Sequence, residues 1–206
     1  MDNRKFGMHL LLFTGFLGSG KTSFIIPLAK AVAKAKRRAA IIVNEIGEIG
    51  IDNQLMRQLD LNVWELLNGC ICCTLSSDLV STIQKLDAGY SPDLVIVESS
   101  GAADPNNVLS ALPYYRGRPL QSMNTVSILD PLRLQMLIEV MTPLITSQIQ
   151  HADLVIVNKI DLASKDEVDF ACRTVQEINP EARVRCTHAQ QRLEPALMSE
   201  LAPWLI

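Results

Sequence analysis

"GFLGSGKT", Gly15 to Thr22, is the stretch from which the rest of the chain is read. It is a glycine-rich loop ending in Lys-Thr. It stands between an apolar run, "HLLLFTG" at 9–15, and a helix-like segment, "SFIIPLAKAVAKAKRR" at 23–38. That strand–loop–helix context marks a phosphate-binding loop rather than a structural turn. Glycines let backbone N–H groups turn inward around a β-phosphate. Lys21 places a point charge between the β- and γ-phosphates, Thr22 offers a hydroxyl to Mg²⁺, and the helix N-terminus adds its positive end. Gly15, Gly18, Ser19, Gly20, Lys21, Thr22 and Ser23 are the expected phosphate contacts, with Lys21 also catalytic.

Working outward, strand-like runs alternate with helix-like segments. After the first strand come "AAIIVNE" (39–45), "NVWELL" (62–67), "DLVIVESS" (93–100), "NTVSILD" (124–130), "DLVIVNK" (153–159) and "ARVRC" (182–186). Helices are expected near 75–87, 106–112, 131–150, 164–178 and 193–204, and Pro27 could kink the first one. Continuous apolar strands alternating with helices predict an α/β fold of the P-loop NTPase kind, a mostly parallel sheet with helices on both faces. With 206 residues and no repeat or linker, a single domain over 1–206 is expected, with no further domain after it.

Composition narrows the function classes. Hydrophobic residues make up 48% and charged residues 20%, and the formal net charge is −3. No nucleic-acid partner is expected, because the one basic run, "KAKRR" at 34–38, reads as a solvated helix end. No apolar run reaches the length of a membrane span. The basic start and apolar run of "MDNRKFGMHLLLFTG" imitate a signal peptide, but no small-residue cleavage site follows, so a cytoplasmic protein is expected. Five cysteines without a spread-out pairing pattern fit a reducing compartment.

Two further strand ends carry chemistry. "VNKID" supplies Asn158, Lys159 and Asp161, an N-K-x-D pattern about 135 residues after the phosphate loop. The Asp161 carboxylate can accept from guanine N1–H and its exocyclic amine. Adenine offers an acceptor and no amine there, so it would leave the acid unpaired. Asn158 and the stem of Lys159 would brace base and loop. The plainer alternative makes Asp161 the cap of a helix. "LVIVESSG" (94–101) ends a strand in Glu98, where an acid can hold Mg²⁺ through water or order the attacking water, and Gly101 could let the next loop move. No arginine is evidently placed to stabilise the transferring phosphoryl group, so intrinsic turnover is expected to be slow.

"NGCICCTL" (68–75) clusters three cysteines. Cys70, Cys72 and Cys73 are soft ligands suited to Zn²⁺ and adaptable to Co²⁺ or Ni²⁺, and Gly69 lets the loop curl around one ion. An open fourth position would suit metal transfer. The Cys70–Cys73 pair also has the spacing of a redox C-x-x-C, and burial as plain core is the third reading. Cys172 and Cys186 are expected in the core, His9 in the first strand, and His151 and His188 as loop histidines or distant ligands.

"GFLGSGKT", "NEIGEIGID", "GCICCTL", "VESSGAADP" and "VNKIDL" together resemble the CobW-type GTPases, relatives of the nickel-insertion proteins of hydrogenase and urease, over about residues 9 to 186. The resemblance implies GTP hydrolysis, with GTP/GDP and Mg²⁺ as cofactors, that gates delivery of zinc or cobalt to a metalloprotein or cofactor-assembly client. It implies a nucleotide-sensing switch carried here by Asn44, Glu45, Glu48 and Asp52, with Glu45 a candidate metal contact. Family members usually continue into a C-terminal domain with a His-rich stretch. This chain stops at Ile206 without a His run, so either a stand-alone GTPase subunit or a domain supplied by a separate subunit is expected, and a homodimer is a further expected partnership. "CTHAQ" (186–190) matches the family's second guanine-contacting loop poorly. Two other classes stay open: a GTPase that helps assemble or activate a corrinoid or other metalloenzyme without carrying metal, and a nucleotide-gated adaptor whose cysteines sense redox state.

Overall fold

The computed structural model describes residues 7–43, 62–65, 75–188 and 194–205. Seven strands are described: β1 (Met8–Thr14), β2 (Ala39–Val43), β3 (Asn62–Glu65), β4 (Leu94–Glu98), β5 (Leu120–Leu129), β6 (Leu154–Val157) and β7 (Arg183–Cys186). They form one sheet in the order β3-β2-β4-β1-β5-β6-β7, every pair parallel. The helices are α1 (Lys21–Lys34), α2 (Leu75–Gly89), α3 (Pro105–Leu109), α4 (Pro131–Gln150), α5 (Lys165–Ile178) and α6 (Pro195–Leu201), with 3₁₀ turns at Leu112–Tyr114 and Pro203–Leu205. The expected parallel α/β architecture is the observed one.

Strand periodicity explains the layers. Successive side chains of β1 point to opposite faces. Leu11 and Phe13 join Phe24, Ile25 and Leu28 of α1 and Leu197 of α6. Leu10 and Leu12 join Leu79, Ile83 and Leu86 of α2. Beyond β5, Leu129, Val155 and Val157 pack on Leu134 and Ile149 of α4 and Val175 of α5. Both faces are therefore covered, which is why the central strands read as unbroken apolar runs.

The topology also locates the binding edge. β1 pairs with β4 on one side and β5 on the other, and strand order runs outward from it in both directions. Crevices at such a reversal point, beyond the carboxyl ends of the strands, are where open α/β sheets bind ligands. The register aligns those ends: Phe13 lies beside Glu98 and Val126, and Leu129 beside Val157.

Three local expectations differ from the structure. β5 starts at Leu120 rather than 124, because its first half alternates exposed and half-buried residues and lacks an apolar run. α1 continues through Pro27, and the non-helical backbone falls instead at Met141 in α4, two residues before Pro143. The basic run beyond α1 is not wholly solvated: Lys36 takes φ 59 to close the helix, Arg37 pairs with Asp93 at 3.3 Å, and the Arg38 guanidinium lies 5.7 Å from the Tyr90 ring centre.

Candidate functional site

The phosphate loop leaves β1 through three left-handed glycines, Gly15 (φ 128), Gly18 (φ 78) and Gly20 (φ 101). A Cβ on Gly15 would run into the Ile128 carbonyl, and one on Gly20 into the Asn158 amide. Only glycine satisfies both the backbone sign and the space. α3, α4 and α5 each begin with a side chain capping a backbone N–H, from Asp104, Asp130 and Ser164. α1 begins at Gly20 with no side-chain cap and no acid in its first turn. Its orphan N–H groups and positive dipole end thus face the loop, which favours an anion there.

Inside the turn, Lys21 Nζ donates to the Gly15 carbonyl at 2.8 Å and to that of Phe16 at 3.4 Å, and the residue is 4% exposed. Thr22 Oγ1 donates to Glu98 Oε1 at 3.1 Å. Glu98 ends β4, and Ser99 fixes the exit by donating N–H and Oγ–H to the Phe13 carbonyl, each at 3.0 Å. Ser23, the last of the predicted phosphate contacts, is exposed. Gly101 lies against the backbone of Leu17, where any Cβ would collide with the Leu17 amide. The loop after β4 can therefore approach the phosphate loop only because residue 101 is glycine.

The N-K-x-D segment meets the same place. Asn158, 1% exposed, donates from Nδ2 to the Ser19 carbonyl at 2.8 Å. Lys159 holds φ 60 while its Nζ pairs with Asp130 Oδ2 at 2.7 Å. Asp130 in turn caps α4 by accepting from the Leu132 N–H at 3.2 Å. Asp161 is exposed. It caps no helix: α5 starts at Ser164, whose hydroxyl and Glu167 form a reciprocal capping box. That removes the plainer alternative for Asp161. Behind it, the Thr187 N–H donates to the Val157 carbonyl at 2.9 Å, and the Ile160 N–H reaches the Thr187 carbonyl at 3.4 Å.

One residue at this site has no signal in the sequence motifs. Arg133, in the first turn of α4, donates from Nη1 to the Leu17 carbonyl at 2.8 Å, on the rim of the phosphate loop. The only sequence pointer to it is the Asp130-Pro131 helix start at the end of β5. Among the other predicted residues, Asn44, Glu45, Glu48, Asp52, Cys70, Cys72 and Cys73 lie outside the described residues. Among the described residues no group of three or more His, Cys, Asp or Glu side chains could hold a metal. The expectation that Cys172 and Cys186 are core is corrected: Cys172 is half-buried and Cys186 exposed, with their sulfurs 3.5 Å apart. Among the described residues β7 is an edge strand, so its side chains have sheet on one flank only. His9 is structural, stacked on Trp204 at 4.4 Å and bonded to Ser122 at 2.7 Å. His151 Nδ1 meets the Ser147 carbonyl at 2.9 Å. No helix among the described residues is long and apolar enough to cross a membrane.

A glycine loop on an uncapped helix start, a strand-end acid on the loop threonine and an N-K-x-D segment on the loop backbone define the class of P-loop GTPases. The chain belongs to the CobW/HypB/UreG nucleotide-binding domain family, whose model matches residues 9–185. A relative in Dictyostelium discoideum, the zinc-regulated GTPase metalloprotein activator 1, is 25% identical over 92% of this chain and 48% of its own length. The zinc chaperone YeiR of Escherichia coli is 32% identical over 73% of this chain and 46% of its own length. The chain thus spans about half the length of these curated relatives. Among solved structures, the hydrogenase maturation factor HypB of Archaeoglobus fulgidus superposes with a TM-score of 0.69 at 17% identity, over 97% of this chain and 91% of that one. The Zn(II)-bound YjiA GTPase of E. coli gives 0.66 at 21% identity, over 94% and 61%. These two likenesses concern the fold.

Proposed function

We propose that this chain binds and slowly hydrolyses GTP and uses the nucleotide state to gate delivery of a transition metal, zinc or cobalt, to a metalloprotein client. The observation that carries the nucleotide half is the Asn158–Ser19 bond, because it joins the base-reading segment to the phosphate loop in one rigid unit. In this reading Gly15, Gly18, Ser19, Gly20, Lys21, Thr22 and Ser23 hold the phosphates, and Asp161 selects guanine with Asn158 and Lys159 as braces. The Thr22 hydroxyl and the Glu98 carboxylate, 3.1 Å apart, are hard oxygen donors of the type Mg²⁺ takes. Bound there, Mg²⁺ would supply charge compensation to the phosphates. Lys21 neutralises the phosphate oxygens, and Glu98 orients the attacking water.

The metal half is supported by Cys70, Cys72 and Cys73 within four consecutive sequence positions and by relatives named as zinc chaperones and a metalloprotein activator. The three cysteines lie in sequence between the acids Glu45, Glu48 and Asp52 and Glu98, and any coupling between nucleotide and metal is reciprocal. Residues 1–206 act as one GTPase domain in this reading. The client is a metalloprotein or cofactor-assembly protein. Binding of GTP and ATP in Mg²⁺, followed by turnover of each, tests the nucleotide half. Tight GTP binding with slow hydrolysis and weak ATP binding is expected, and equal affinities for the two would reject it.

A further inference from the structure

We propose that Cys172 and Cys186 form a second, two-thiol site for a soft divalent transition-metal ion at the β7 edge of the sheet, apart from the phosphate loop. Cys172 lies on α5 and Cys186 ends β7, and their Sγ atoms stand 3.5 Å apart. Two thiolates on one tetrahedral ion at a metal–sulfur distance of about 2.3 Å are about 3.8 Å apart. The pair therefore needs to open by only about 0.3 Å to chelate an ion. A disulfide, at about 2.0 Å, would need it to close by about 1.5 Å. The observed contact is that of two thiols, either of which can donate to the other, at a spacing close to that of a chelating pair.

The surroundings agree. A dication bound there displaces the thiol protons and is attracted by the neighbouring Asp169 carboxylate. Asp169 stands three residues before Cys172 on α5, hence on the same helical face. Access is open as well: among the described residues β7 pairs only with β6, and Cys186 is exposed. With no third His, Cys, Asp or Glu ligand gathered there among the described residues, two coordination positions remain for water or an exchanging partner. Such a site holds an ion loosely enough to pass it on, unlike a closed four-ligand structural site.

The site does not depend on Cys70, Cys72 and Cys73 binding metal, so its failure and that of the GTP-gated reading are separable. The chain has five cysteines, so a variant with Cys70→Ser, Cys72→Ser and Cys73→Ser keeps only this pair. That variant, reduced with a phosphine, is titrated with Co²⁺ alone, after circular dichroism has shown it folded. A Cys→Ala set at the same three positions serves as a second background. One Co²⁺ per chain is expected, with a sulfur-to-cobalt charge-transfer band, release of about two protons per ion near neutral pH, and displacement by Zn²⁺. The band should vanish on adding either Cys172→Ser or Cys186→Ser. No band in either folded background would overturn the proposal, as would a band that survives both further substitutions. A background that shows no band but loses two hydrogens to hydrogen peroxide, forming one S–S bond and water, would also overturn it, in favour of a disulfide.

Discussion

The Thr22 hydroxyl donates to Glu98 Oε1 across 3.1 Å, joining the end of the phosphate loop to the carboxyl end of β4. Glu98→Gln keeps an acceptor for that hydroxyl and removes the charge. Hydrolysis should slow by roughly a hundredfold, more than GTP affinity falls, as befits a group that orders water as well as bearing on Mg²⁺. Lys21→Ala should instead abolish tight binding of GTP and GDP. Single-turnover hydrolysis alongside equilibrium titration separates the two, and an unchanged rate in Glu98→Gln would remove that residue from the chemistry.

Asp161 is exposed and caps no helix, leaving its carboxylate available to a base. Asp161→Asn should weaken GTP binding by roughly 10- to 100-fold, since two donors of guanine lose an ionised acceptor. It should strengthen xanthosine triphosphate binding, because the amide can donate. Ser164→Ala breaks the capping box three residues on and should cost about 1 kcal/mol of stability while leaving base preference intact. Competition among GTP, XTP and ATP reads the first effect and a thermal melt the second. Unaltered base preference in Asp161→Asn would contradict the assignment.

The Asn158 amide occupies the space that a side chain on residue 20 would need. Gly20→Ala should therefore both strain a φ of 101 and break the Asn158–Ser19 bond. Asn158→Ala leaves the buried Ser19 carbonyl without that donor, at a cost of about 1–3 kcal/mol. Both variants should lose affinity for GDP as well as GTP. A loss confined to base selectivity in Asn158→Ala, with phosphate affinity untouched, would show that the two segments are not coupled.

At the opposite end of the sheet, Asp87 accepts from Arg118 N–H at 2.8 Å, from the Tyr115 hydroxyl at 2.8 Å and from Arg118 Nε. Burial alone would raise its pKa, but the bonds from Arg118 and Tyr115 outweigh it and hold the carboxyl below 3.8. A lowered folded pKa means that its stabilisation is complete above the unfolded value and drains as pH falls through the folded one. Asp87→Asn should lower stability at neutral pH by roughly 1.5–3 kcal/mol and flatten the acid limb of the stability curve. Denaturant melts from pH 2 to 7 would show it, and parallel curves for the two proteins would refute it.

What the sequence made legible was local. The phosphate loop, the acid of "LVIVESSG" and the N-K-x-D segment each announce themselves within a few residues, and unbroken apolar strands predict a sheet covered on both faces. What stayed hidden depends on contacts between distant segments. Asn158 reaches Ser19, 139 residues away, and Arg133 reaches Leu17, 116 residues away. No spacing rule connects such pairs. The first half of β5 was missed because only β1 holds it and half its side chains face solvent. Cys172 and Cys186 looked like core because isolated cysteines usually are. Their place at the sheet edge follows from the strand order, which the motifs do not encode.

Coupling between nucleotide and metal is the central claim, and one titration reaches it directly. Zn²⁺ affinity of the reduced chain carrying Cys172→Ser and Cys186→Ser is measured against a competing chelator, once with GTP and Mg²⁺ and once with GDP and Mg²⁺. One ion held at Cys70, Cys72 and Cys73, bound at least about fivefold more tightly with GTP and lost on serine substitution there, is the predicted result. Equal zinc affinity in the two nucleotide states, or no zinc held by those three cysteines with GTP bound, would contradict it.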